Sequence, residues 1–310
     1  MPLLSRKRLI LAKTETTYGT DSTPTGAANA ILVRNLEITP LQADLVSRDL
    51  VRPYLGNFEQ LLAQTRVEVT FEVELAGSGT AGTAPAYAPV LKACGLSETV
   101  VASTSVTYAP VSSSFSSCTL YFHNDGVRHK VTGVRGTFEI KAEVGQIPTV
   151  AFTMTGIYNA PSDVALPTPT YSQPTPLVFK NGNSSNFSLF SYSGCLQSLQ
   201  IQMANNTIYR ELVGCTKQVV ITDRKPAGTV VIEAPDITTK DFFSIATGSA
   251  TGALTVQHGS TAGNIVTLTA AQTDVTQPSY SDQDGIQMLN IGCVFTPSTA
   301  GNDELSLAFT

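Results

Sequence analysis

The sequence predicts an all-β protein, mainly antiparallel, whose plan is written twice along the chain with one short helix in each half. Three observations predict it. Residues 134–158 alternate apolar and polar side chains on either side of a turn holding Gly145 and Pro148, which is the pattern of a β-hairpin. Residues 288–310 share the design: Ile291, Cys293 and Phe295 precede a loop with Pro297 and Gly301, and Leu305, Leu307 and Phe309 follow it. The order of signals in the first half also returns in the second, most closely where Arg48-Asp49-Leu50-Val51 is matched by Arg210-Glu211-Leu212-Val213.

Composition supports a folded chain. Of 310 residues, 42% are hydrophobic and only 14% charged, which argues against disorder throughout and leaves room for two domains of ordinary size. The low charge leaves Thr, Ser, Gly and Asn to cover the surface, as in β-rich proteins with much of their surface covered by other protein. The formal net charge is −5 and the pI about 5.2. No basic excess is present to grip nucleic-acid phosphates; an acidic balance lets DNA pass without being held. Arg6, Lys7 and Arg8 before Leu9–Ala12 resemble a leader, but the apolar run is short and Lys13 and Glu15 follow at once. No run is long enough to span a membrane as a helix. Folding in a cytosol is expected. There Cys94, Cys118, Cys195, Cys215 and Cys293, which lack CxxC or Cys/His spacing, are expected as buried small apolar residues.

In chain order, residues 1–30 read as an N-terminal arm, with 14–30 small, polar and turn-prone. A strand is expected over 31–40, then a long connection over 41–66 of the length that usually carries function. Residues 67–75 alternate cleanly, Val67, Val69, Phe71, Val73 and Leu75 on one face and Glu68, Thr70, Glu72 and Glu74 on the other. A short helix over 85–95 ends at Gly95. A tight hairpin over 118–132 turns at Asp125-Gly126, and the 134–158 hairpin completes a domain over 31–158. Five prolines in 159–176 make an extended linker. A second domain over 177–310 repeats the plan: 198–214 matches 35–51, 228–235 matches the clean strand, 238–248 matches the helix and again ends in Gly, and 249–271 is a further hairpin region.

Sharper chemistry finds little support. Gly77, Gly79 and Gly82 spell GxGxxG, but Pro85 and Pro89 and the antiparallel surroundings favour a plain turn over a phosphate cradle. His123 and His129 face each other across a hairpin with no carboxylate or thiol at ligand spacing, so an exposed hairpin outweighs a metal site. Asp282, Asp284 and Gly285 lack the rest of a calcium loop and read as a turn. Asn183, Asn186 and Asn205 lie in N-x-S/T triplets, which mean nothing without secretion. His258 stands alone. No nucleophile elbow or paired-carboxylate site is present, so catalysis is the weaker class: no enzyme, no cofactor and no metal are expected.

Three stretches carry a resemblance: KRLILAKTETTYGTDSTPTGAANAI (7–31), NLEITPL with its long following connection, and the hairpin at 134–158. In combination they resemble the major tail tube proteins of long, non-contractile-tailed (siphovirus-type) bacteriophages, covering the first half directly and the second through the repeat. The resemblance implies a β-barrel or sandwich flanked by one short helix in each domain, and rings stacked into a tube that conducts DNA into the host. With two tandem tube domains, three subunits would make a ring of pseudo-sixfold symmetry. It also implies a virion tail location after assembly in the bacterial cytoplasm, no membrane insertion, and tape-measure, tail-tip and tail-terminator proteins as partners. The alternatives are one tube domain plus an immunoglobulin-like domain in hexameric rings, or another β-rich virion component such as a capsid, baseplate, adhesin or decoration protein. For contacts between rings the expectation falls on Leu45, Leu50, Tyr54, Leu55, Phe58, Leu61 and Leu62, which could equally cap their own domain's core. For the channel wall it falls on Glu68, Glu72, Glu74, Glu139 and Glu143, whose like charge would keep DNA sliding; an ordinary solvated strand face is the plainer reading.

Overall fold

A computed structural model describes residues 2–310. Strand β1 (Arg8–Thr14), helix α1 (Gly26–Asn29) and β2 (Ala30–Ile31) precede a long hairpin of β3 (Arg34–Ser47) and β4 (Gln60–Glu74). Helix α2 (Ala88–Ala93) leads into the hairpin of β5 (Leu96–Val101) and β6 (Ser105–Pro110), then into the meander β7 (Cys118–Asn124), β8 (Val127–Glu143) and β9 (Thr149–Tyr158). After the short β10 (Ser162–Asp163) come β11 (Ser184–Leu189), β12 (Leu196–Gln202), β13 (Asn205–Arg210), β14 (Gln218–Arg224) and β15 (Ala227–Glu233). Helix α3 (Phe242–Gly248), β16 (Thr251–His258), β17 (Val266–Gln283), β18 (Ile286–Phe295) and β19 (Ser306–Phe309) follow.

The fold is all-β and antiparallel, in two layers. One layer is an eight-stranded sheet in the order β3-β4-β9-β8-β12-β15-β18-β17. Period-2 alternation gives each strand one apolar face, and these faces point the same way. Val69, Phe71, Phe152, Phe138 and Ile140 from the first half continue into Ile201, Val230 and Ile291 of the second, all buried. The other layer holds one group ordered β2-β1-β7 and a second ordered β5-β6-β19-β17-β16-β11. Strands β8 and β17 are long enough to serve both layers: the start of each lies in the outer layer and its end in the eight-stranded sheet. One contiguous apolar core fills the space between, with Phe152 stacked on Phe71 at 5.4 Å between ring centroids. Each buried aromatic of this kind contributes ~1.5–3 kcal/mol.

Several expectations hold. The Asp125-Gly126 turn has φ of +40° and +100°, the two left-handed residues that a tight hairpin needs. The 134–158 hairpin is β8–β9. Helix α2 ends against Gly95, where φ is +81°. The helix expected over 238–248 is α3, which starts later, at Phe242, and ends at Gly248 with Ser249 as its left-handed C-cap. Its start is capped by Asp241, whose carboxylate accepts from the Ser244 N–H at 2.9 Å. Asp284-Gly285 is the β17–β18 turn.

Other expectations are corrected. Residues 288–310 are two strands but not a hairpin: β18 lies between β15 and β17, whereas β19 crosses to the outer layer between β17 and β6. Alternation specifies a strand and its buried face, not its neighbour. Residues 41–66 are only partly a loop: 41–47 and 60–66 are the outer reach of the β3–β4 hairpin, and 48–59 connect them. His123 is not exposed, because β1 pairs along the whole of β7 and turns an edge strand into a central one. Cys94, Cys118 and Cys293 are buried, but Cys195 and Cys215 are exposed; all five are free thiols.

Residues 14–30 pack on their own chain. Buried Glu15 accepts from Ser117 Oγ at 2.5 Å, from the Gly133 and Gly19 N–H groups at 2.8 Å, and from Thr119 Oγ1 at 2.9 Å. The proline-rich stretch is held too: β10 pairs with β8, the Thr170 N–H donates to Gly26 at 3.0 Å, and the Gln173 amide bonds the Leu32 backbone in both directions. The GxGxxG run packs backbone against backbone on the 259–264 turn. The Gly79 N–H donates to the Gly263 carbonyl at 2.9 Å, and a Cβ on Gly77 would sit 2.2 Å from that same oxygen. Close approach of two loops explains these glycines and leaves no room for a phosphate.

Candidate assembly surfaces

Three surfaces of the molecule stand apart from its core. The first is the polar face of the eight-stranded sheet. Strict alternation places Glu68, Glu72 and Glu74 of β4 on this face, and β9 answers them with Thr155, Ala151 and Thr149. Beyond β9, Glu139 and Glu143 of β8 share the same face, and the register carries it on to Gln202 and Ser198 of β12. The five predicted acidic residues therefore lie on one surface. It extends into the second half through Thr229, Glu233, Asn290 and Asp274, which sequence reasoning did not single out because the strand order was unknown. Two of the acids are neutralised: Arg34 pairs with Glu72 and Lys141 with Glu139, each at 2.9 Å. Among the described residues Glu68, Glu74 and Glu143 have no ion-pair partner.

The second surface is the outer reach of β3–β4. Leu45, Leu50, Tyr54, Leu55, Leu61 and Leu62 are exposed, Leu55 and Val51 fully, and Phe58 is half-buried. Phe58 and Tyr54 flank the Arg52 guanidinium, which lies 4.1 Å and 4.8 Å from their ring centres. None of the exposed leucines caps the core, so that plainer reading of these residues is corrected: the strands run past the end of the sheet. These apolar side chains are left uncovered by their own chain.

The third surface is the pair of free edges that ends the sheet. β3 pairs only with β4, and β17 beyond Thr276 pairs only with β18. Exposed strand edges are templates for further pairing.

His123 and His258 sit near the ends of β7 and β16, both buried. Burial pushes the His123 pKa down to about 4, assisted by Arg128, and lowers that of His258. The His258 ring meets Ser184 Oγ at 2.9 Å, while both His123 ring nitrogens lack a partner. Among the described residues no three His, Cys, Asp or Glu side chains gather as a metal site, and no helix is long and apolar enough to cross a membrane.

An acidic sheet face, an apolar projection and two open edges describe a part that repeats. A protein-family model described as phage tail tube protein matches residues 5–309. The chain belongs to the phage tail tube protein family. No curated protein matches it. Membership makes this tail tube protein a structural component of the bacteriophage virion tail, self-associating into a stacked tube, and places it in a structural rather than an enzymatic family.

Proposed function

We propose that three copies of this tail tube protein close into a ring of pseudo-sixfold symmetry, and that stacked rings form the tube through which DNA enters the host. The observation that carries the reading is a recurrence in strand order. β3-β4-β9-β8 in the first half is matched by β12-β15-β18-β17 in the second, with every pairing antiparallel in both. A helix follows the second strand of each set. This supports two tail-tube domains, over 31–158 and 177–310, joined by the 159–176 stretch. The β8–β12 pairing then acts as a domain-to-domain joint inside one subunit. Open edges at β3 and β17 allow head-to-tail contacts of the same kind between subunits, and a heterologous contact that closes makes a ring.

The polar sheet face then lines the channel. Glu68, Glu74 and Glu143 repel the DNA backbone and deny it a resting place, while Glu72 and Glu139 line the same wall with their charge offset by Arg34 and Lys141. Leu45, Leu50, Tyr54, Leu55, Phe58, Leu61 and Leu62 form the contact between rings, where burial of the exposed apolar surface drives stacking. Tape-measure, tail-tip and tail-terminator proteins are the partners expected at the lumen and ends, with assembly in the host cytoplasm.

Electron microscopy of the concentrated protein, averaged until subunits per ring can be counted, tests this. Three-subunit rings with six lobes are expected. Six full-length subunits per ring would overturn the trimer and its pseudo-symmetry while keeping the tube.

A further inference from the structure

The matched strand pairings of the two halves set a register at the free edges. Thr70 and Thr229 occupy matched places on β4 and β15, as do Glu74 and Glu233 four residues on. Across the first half, Thr70 faces Glu37 on β3 and Thr153 on β9. Across the second, Thr229 faces Gln200 on β12 and Gly292 on β18. Glu37 therefore corresponds to Gln200, and Thr39, which faces Glu68, corresponds to Gln202, which faces Ala227. On the far side Glu139 faces Ala151, and Ser279 faces the matching Asn290; Lys141 faces Thr149, and Ser281 faces the matching Met288.

Inside the chain the joint has a known register: Glu139 opposite Gln202, Ile140 opposite Ile201, and Lys141 opposite Gln200. Resting on the ring reading above, we propose that β17 of one copy pairs antiparallel with β3 of the next, with Ser279 opposite Thr39, Tyr280 opposite Ile38 and Ser281 opposite Glu37. Burial argues for a missing neighbour at that place. Ile140 and Ile201 meet within the chain at 1% and 0% exposure. Tyr280, the counterpart of Ile140, is 53% exposed although it points to the core side, where the Phe243 ring of α3 lies 5.5 Å from its own. Ile38, the counterpart of Ile201, is likewise only half-buried. The edge of β3 is open from Glu37 onward; one residue earlier, Arg8 donates to the Leu36 carbonyl at 2.9 Å and caps it. Pro278, which cannot donate to a ladder, stands where β17 bulges between Thr276 and Ser279, so pairing starts beyond it.

Disulfide trapping tests the register. Opposed residues of antiparallel strands bring Cβ atoms within ~4.5–5.5 Å, close to what a disulfide spans. The variant Ser279→Cys/Thr39→Cys is made with the exposed thiols removed by Cys195→Ser and Cys215→Ser. After oxidation, denaturing gels without reductant are expected to show covalent dimers and trimers that collapse to monomer on reduction. Neither single-cysteine variant should cross-link. The displaced pair Ser281→Cys/Thr39→Cys, about 7 Å out of register at ~3.4 Å per residue, should remain monomeric. Monomer alone from the matched pair, or stronger cross-linking from the displaced pair, overturns the register. Rings seen by microscopy beside a monomer-only gel would overturn it while keeping the tube reading. Covalent trimers that never stack would support the register and count against the tube.

Discussion

The two halves carry similar tip sequences on hairpins that meet opposite fates. Arg48-Asp49-Leu50-Val51 ends a projection, whereas Arg210-Glu211-Leu212-Val213 ends a hairpin that lies down on the first half. Exposure at the tips is nearly the same: Leu50 53% and Leu212 51%, Val51 103% and Val213 106%. The difference lies in the stems. β3 absorbs its irregularity in bulges around Gln42 and stays paired with β4 out to Ser47. At the matching point of the second half Ala204 adopts φ of +48°, and Lys225-Pro226 breaks the return strand, so β13–β14 forms a separate two-stranded sheet. That small sheet buries Val219 and Ile221 and is tied down by polar contacts. The Asn205 amide donates to the Cys94 and Gly136 carbonyls, Arg135 donates to the Val219 carbonyl at 2.8 Å, and the Val219 N–H donates to Tyr18 Oη at 2.6 Å. A similar sequence is thus held by its own chain in one half and left for another molecule in the other.

Removing Arg224 breaks this contrast at its strongest point. Its guanidinium, 13% exposed, pairs with Glu304, 7% exposed, at 2.9 Å and also donates to the Val111 carbonyl. Arg224→Ala strands the Glu304 carboxylate and should cost ~3–5 kcal/mol. Denaturant titration should show the loss, and hydrogen exchange should show β13–β14 opening ahead of the eight-stranded sheet.

Where the halves agree, acid should expose the agreement. His123 and His258 are both held neutral by burial, with folded pKa values below the ordinary 6.5. Below pH 6.5 the unfolded chain takes up protons that the folded chain refuses, so stability falls as pH drops from about 6.5 toward 4. It is fully present above that window. The double variant His123→Phe/His258→Phe should flatten this limb of a stability-versus-pH curve and leave the value at pH 7.5 less affected.

The smallest effect on the free subunit sharpens the contrast furthest. Leu50→Ser/Val51→Ser/Leu55→Ser removes exposed side chains only and should change unfolding free energy by no more than ~0.5 kcal/mol. The same triple variant should abolish or greatly slow tube formation followed by light scattering. Unimpaired tube growth would place ring stacking elsewhere.

Strand positions were legible because alternation is a local property. The β8–β9 hairpin, the Asp125-Gly126 turn and the α2 segment all follow from residues within a few positions of one another. The acidic side of each strand was legible for the same reason, whereas the shared surface of β4 and β8 was set by their pairings with β9. Three things were not legible. β1 was hidden by its basic flank and short apolar run, although Leu9, Ile10, Leu11 and Ala12 are all buried. The 41–66 stretch hid its pairing because bulges near Gln42 and Asp44 break the period. The second half's share of the polar face, such as Asp274 and Glu233, could not be placed without knowing that β12 pairs with β8.

By itself the sequence determined an all-β chain, two helices at matched places, the turns, and the acidic side of each strand. Each of these depends on side-chain period or backbone preference over short distances. Only the tertiary structure decided which strands are neighbours. That choice joined the halves through β8–β12 in one layer and β6–β19 in the other, and left β3 and β17 at the ends. Pairing is set by how apolar faces from distant segments share one core, and a backbone edge has no sequence signature until its last neighbour is known.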